Sequence, residues 1–257
     1  QNYALANTDY QRKFMNEKIK HSYQVWGAGN VLLKHEECFR DFDEEERKYY
    51  QAVVLLHDVA RFREPLEKEK GNFIDHGVVG TQMLVQRKFF KDDADGLAIK
   101  HHGHLIEKLY EDSLYQQLSE NKKKQVRELA FLVRDADKMA NFYLLVSDFE
   151  IMRNIFFVPG RFENPFCKEP SNKVLNDFMA HKSINRADMN SLIDFTLMLL
   201  AWVFDLNYNH SFVLVKRWKI IERLLPFVSS FFKDGEDKFY QTELDKFINA
   251  RLKKSSI

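Results

Sequence analysis

Only two cysteines, Cys38 and Cys167, occur in 257 residues. Two thiols cannot build a disulfide framework, and these lack metal-ligand spacing, so both are expected as free thiols in a reducing cytoplasm. Neither sign of charge is in excess, since 39 Lys and Arg stand against 38 Asp and Glu. That balance removes the diffuse attraction by which a basic domain finds nucleic acid or an anionic membrane, while leaving room for a local basic pocket. Long hydrophobic runs are missing too. The most apolar stretch, Phe195 to Phe204, lies between Asp194 and Asp205 and is roughly half as long as a bilayer span requires. Gln1 to Lys20 is polar and charged throughout, so no signal peptide is expected there. No stretch alternates polar and apolar residues for long enough to make a half-buried strand. Internal repeats and low-complexity tracts are absent. A cytoplasmic all-α protein is the expectation these absences leave.

What is present agrees with helices. The 23 Phe and 10 Tyr suit a large helical core. Tyr10 to Lys34 carries apolar residues at helical spacing. Asp43 to Glu46 has the form of a capping box, and the helix it opens runs toward His57-Asp58. Pro65 and Gly71 break the chain, which leaves Glu64 to Asn72 as a loop. Asp75 is an N-cap for a helix from His76 to about Phe90. A short helix is expected from Asp95 to near Gly103, and a long one over Lys122 to Val146. Val158 to Lys173 holds Pro159, Gly160, Pro165 and Pro170 and reads as an ordered loop or lid. Amphipathic segments follow near Lys173 to Phe178, Ala187 to Phe204, Phe212 to Phe232 and Lys238 to Lys253. The expected organisation is a single all-helical domain over residues 1–257, with a core at about 10–146 and a C-terminal helical extension over about 147–257.

The chemistry centres on Ala52 to Phe62, AVVLLHDVARF. A wholly apolar run must be buried, and it delivers His57 and Asp58 side by side. Imidazole and carboxylate rarely enter a core uncompensated, and a metal ion compensates both. The rest of the chain offers partners, each on a separate predicted helix: His21, His76, the pair His101-His102, and Asp137. His21, His57, Asp58 and Asp137 would surround one ion. Asp58 would bridge to a second ion held by His76 with His102 or His101. Imidazole ligands select Mn, Fe, Co, Ni or Zn over Mg alone. A pair of such ions activates water and stabilises the oxygens of an in-line displacement at phosphorus. Arg61 and Lys138 are the cations best placed to hold a phosphate, and His104 lies near the mouth of the site.

The ordered set His21, His57-Asp58, His76, His101-His102 and Asp137 resembles the HD-domain metal-dependent phosphohydrolase superfamily. HDVARF, DHGVVG, AIKHHG and RDADKM, with WVFDLNYNHSF further on, look like one bacterial subgroup of it. After Lys138 the chain departs from that subgroup, with Met139-Ala140-Asn141 where a Leu-Asp pair is common. The resemblance implies an HD-domain helical bundle with additional C-terminal helices. It implies His21, His57, Asp58 and Asp137 as the primary metal set, with His76 and His102 as the second. In RDADK it favours Asp137 over Asp135. The function implied is a phosphohydrolase that cleaves a phosphate ester or anhydride, in a small nucleotide-like substrate, by a metal-activated water at a mono- or binuclear site. Asp58, Arg61 and Lys138 are its catalytic candidates. The same ligand order also occurs in HD-fold diiron oxygenases, and a non-catalytic nucleotide-sensing module is the remaining alternative. No membrane or nucleic-acid partner is expected.

Overall fold

A computed structural model of the chain describes residue 6, residues 8–147, residues 153 and 158, and residues 160–254. Pro159, part of the expected loop at Val158 to Lys173, lies outside the described residues. Among them every regular element is helical, so the all-α expectation holds. The chain divides into two compact units, Gln1–Ala140 and Asn141–Ile257.

In the first unit, helix α1 (Asp9–His35) opens on a reciprocal cap between Thr8 and Gln11. The Asp43–Glu46 capping box opens α2 (Glu44–Leu56) as expected. That helix does not continue through the motif. It ends at His57, and Val59–Arg63 forms a tighter 3₁₀ turn after Asp58 (φ −101, ψ 18). The winding therefore changes at the histidine-aspartate pair, which aims the two side chains differently from neighbours on one regular helix.

Glu64–Glu69 is helix α3, with Pro65 in its first turn, and corrects the reading of Glu64 to Asn72 as loop throughout. A proline there gives up an N–H that has no partner in a first turn anyway, so it starts this helix and does not break it. The turn comes later, at Gly71 with φ +76. Asp75 caps α4 (His76–Gln86) by accepting from the Val78 N–H. This helix stops four residues before Phe90 because Lys88 adopts a left-handed φ of +52, with no glycine to announce it. A 3₁₀ turn at Asp93–Asp95 leads into α5 (Gly96–Lys100). Two short helices, α6 (Glu107–Tyr110) and α7 (Ser113–Gln117), precede the long α8 (Glu120–Ser147).

Two glycines let these helices approach closely. A Cβ on Gly29 would stand 2.8 Å from Val54, so α1 lies directly on α2. A Cβ on Gly77 would meet the Lys100 carbonyl oxygen at 2.5 Å and that of Ile99 at 3.0 Å. The start of α4 is thus pressed onto the end of α5, beside His102. Val25, Leu32, Val53, Val54, Ile99, Leu129, Leu132 and Val133 fill the core between the helices.

The second unit is built on α10 (Leu192–Ala201), every residue of which is buried. Before it comes α9 (Asn172–Met179), and after it a 3₁₀ turn, Trp202–Asp205. Then follow α11 (Asn209–Arg217), α12 (Ile220–Val228) and α13 (Glu236–Lys254). The expected segment Phe212 to Phe232 is two helices, divided where Lys219 takes a left-handed φ of +52. Asp194, wholly buried, accepts from the Ser171 N–H and hydroxyl, both at 2.7 Å, and from the Asn190 N–H at 2.9 Å. A buried carboxylate compensated in this way pins the chain before α9 to the start of α10. Cys38 and Cys167 are both exposed. No helix among the described residues is long and apolar enough to cross a membrane.

Candidate metal centre

The centre of the site is the carboxylate of Asp58, which is 2% exposed. Four imidazoles turn Nε2 toward it, two to each oxygen. On Oδ2 these are His57 at 3.8 Å and His21 at 3.9 Å. On Oδ1 they are His102 at 3.3 Å and His76 at 3.6 Å. Asp137 joins the first side, with its Oδ1 at 3.0 Å from His21 Nε2 and 3.7 Å from His57 Nε2. Two groups of donors result, His21–His57–Asp137 and His57–Asp58–His102, each with atoms within 4.8 Å of one another. His76 stands just outside these groups but within reach of Asp58.

The tautomers of the two deepest histidines follow from local backbone geometry. His57 Nδ1 lies 2.9 Å from the Val54 carbonyl oxygen, and His102 Nδ1 lies 2.7 Å from that of Ile99. A carbonyl only accepts, so Nδ1 carries the proton in each neutral ring and Nε2 presents a lone pair to the site. Such outward hydrogen bonds are what orients a metal-ligating histidine.

His57 Nε2 and Asp58 Oδ1 are buried without a hydrogen-bond partner. The contact from His102 to Asp58, though only 3.3 Å long, is not aligned as a hydrogen bond. Buried polar atoms that converge without pairing with one another are a donor set that fits a cation.

Electrostatics agree with this. Burial opposes charge on Asp58, yet His57, His102 and Lys18 hold its carboxyl well below the usual range. Asp137 is likewise held low against its burial, chiefly by His21 and His57. Burial lowers the His102 pKa, which keeps that ring neutral. For His57, burial pulls downward but the Asp58 and Asp137 carboxylates prevail and the pKa rises. Ionised Asp58 and Asp137 with a neutral His102 are in the protonation states a divalent cation needs, whereas a protonated His57 must release its proton as the cation binds.

Around this centre the remaining expected residues separate. Arg61 is held by Glu64, whose two carboxylate oxygens accept from Nη1 at 2.9 and 3.1 Å, and its Nε lies 3.5 Å from Asp58. Lys138 is buried at 8% exposure. His101 is turned out of both donor groups: its Nε2 faces Asp112 at 2.9 Å and its Nδ1 faces His104. His104 is itself tied to Asp75 through Nε2 at 2.9 Å. Asp135 is fully buried and belongs to neither donor group.

Three participants were not anticipated. The Lys18 ammonium lies 3.4 Å from Asp58 Oδ2. It sits three residues before His21, one turn away on the same face of α1, and that spacing was the available signal. Glu64 holds Arg61 and also lies 3.4 Å from His76 Nδ1. Arg134, buried on α8, donates through Nη1 to the carbonyl oxygens of His101, His102 and His104 at 2.9, 3.2 and 2.5 Å. One guanidinium therefore fixes the backbone that carries His102.

Residues 19–141 match the family model for the HD domain. No curated protein and no solved structure matches the chain.

Proposed function

Starting from an HD domain of the metal-dependent phosphohydrolase superfamily, which this chain carries over residues 19–141, we propose that it hydrolyses a phosphate ester or anhydride of a nucleotide. The observation that carries this reading is the convergence of four imidazole Nε2 atoms on one buried carboxylate, Asp58, at 3.3 to 3.9 Å. A donor set so rich in nitrogen suits Mn, Fe, Co, Ni or Zn better than Mg. His21, His57, Asp58 and Asp137 would hold one ion. Asp58, shared, would hold a second together with His76 and His102. When bound, such ions offset phosphate charge and lower the pKa of a water toward neutrality.

The chain's own cations complete the site. Arg61, fixed in orientation by Glu64, would bind phosphoryl oxygens, Lys18 adds positive charge 3.4 Å from Asp58, and Lys138 would supply a further cation. His104 would meet the substrate at the rim. A cleft of about 480 Å³ runs alongside Arg61 and Glu64, walled by Tyr10, Phe14, Pro65, Phe73 and Ile74. Phe73 is 96% exposed. Aromatic walls next to a cationic phosphate contact support a planar base as the body of the substrate.

The test is phosphate release from a panel of nucleotides and generic phosphodiesters by manganese-loaded protein under anaerobic conditions. Turnover by the wild type and none by Asp58→Ala is expected. Failure to release phosphate from any ester, with oxygen consumed by the iron-loaded protein, would instead place the chain with the oxygenases that share its ligand order.

A further inference from the structure

The second unit contains a cavity of about 390 Å³ that uses none of the HD-site histidines or carboxylates. Its floor is apolar, with Phe195, Met198, Leu199 and Trp202 from α10 and the turn that follows it. Two guanidiniums also line it, from separate segments: Arg161 before α9, and Arg186 in the 3₁₀ turn before α10. Arg161 is stacked, its guanidinium carbon 4.9 Å from the centre of the Phe195 ring and 6.0 Å from that of Phe162. Burial and the field of Arg186 together lower the Arg161 pKa. Two cations therefore share one recess over an aromatic floor, and each raises the cost of charging the other.

The segments that carry these arginines are fixed to each other. The Leu192 N–H donates to the Pro165 carbonyl, the Asn164 N–H to that of Asn190, and Asp194 ties Ser171 to Asn190. The recess is therefore set by the fold before any ligand arrives. Planar guanidinium forks recognise oxyanions in bidentate fashion, and an aromatic floor accepts a flat apolar body. The volume is within the usual range of small-molecule sites.

We propose that this recess binds a small organic oxyanion, with its phosphate or carboxylate head between Arg161 and Arg186 and a planar apolar body against Phe195 and Trp202. The head relieves the repulsion between the arginines, and the body replaces water over the rings.

Isothermal titration of the full chain in the presence of a chelator tests this with 1-naphthyl phosphate, 1-naphthoate and inorganic phosphate as probes. A single saturable site for at least one naphthyl probe is expected, at least tenfold tighter than for inorganic phosphate. The tighter of the two naphthyl probes identifies the head group. Binding should survive Asp58→Ala and weaken at least tenfold in both Arg161→Ala and Arg186→Ala. Inorganic sulfate should compete in the wild type, a readout that does not depend on any variant folding. No binding of either naphthyl probe, affinity unchanged by the arginine replacements, or loss of binding in Asp58→Ala would each overturn the proposal.

Discussion

Replacing Gly77 by alanine should separate two parts of the metal centre. The new Cβ would lie 2.5 Å from the Lys100 carbonyl oxygen, and the atoms it meets are backbone. Ordinary contact begins near 3.4 Å, so α4 and α5 must part by roughly 1 Å, an overpacking that costs about 1–3 kcal/mol. Alanine's better helix propensity returns at most about 1 kcal/mol, and less in a first turn. A net loss of about 1–2 kcal/mol should lower the Tm by roughly 2–8 °C in a chain of this size. The displacement falls between His76, the preceding residue, and His102, two residues after Lys100. The His76 and His102 side should therefore lose metal affinity while the His21–His57–Asp137 side keeps it. Calorimetric melting and metal titration together read both effects. A variant that melts with the wild type and binds metal identically would refute the close approach.

Other perturbations probe the shell of the site. Arg134→Met strips a donor from three carbonyls, those of His101 and His102 in buried hydrogen bonds, and should cost about 2–4 kcal/mol, seen as a lower midpoint in urea, with Arg134→Lys recovering only part of it. The Asp112 carboxyl is opposed by burial but held down to about 2 by hydrogen bonds from Lys100 and His101. A depressed carboxylate contributes stability above its unfolded pKa of about 4 and loses it as the pH falls toward its folded value. Wild type should therefore lose about 2 kcal/mol more than Asp112→Asn between pH 5 and pH 2. Equal acid sensitivity of the two proteins in urea melts would contradict that. Arg61→Lys keeps a charge but loses the planar guanidinium that Glu64 holds through Nη1, and should lower kcat for phosphate-ester hydrolysis by roughly 10- to 100-fold with metal content unchanged.

How much of this was legible in the sequence depended on the range of the interactions involved. Capping boxes and caps act over three residues, so Asp43–Glu46 and Asp75 marked their helix starts correctly. The apolar run before His57 announced burial, and burial of a histidine with an aspartate pointed to a cation. Pro65 misled because a proline that opens a helix and one that ends it look alike without the surrounding geometry. The ends at Lys88 and Lys219 were hidden because lysine gives no local sign of a left-handed turn. His101 and His102 are adjacent in sequence, and only the Ile99 carbonyl and Asp112, which fix the two rings in different directions, tell them apart. Arg134 sits in the RDADK motif, yet its role depends on carbonyls some thirty residues away. Arg161 and Arg186 meet only through backbone pairing between two loops, which no spacing rule reports.

The central claim is that Asp58 is shared between two ions, and elemental analysis of metal bound at equilibrium by wild type and Asp58→Asn tests it most directly. The replacement preserves the shape of the side chain and removes its charge. Up to two equivalents of a transition metal in the wild type and loss from both sides of the site in the variant are predicted, with helical content unchanged by circular dichroism. Wild-type stoichiometry and affinity retained in Asp58→Asn would contradict the account.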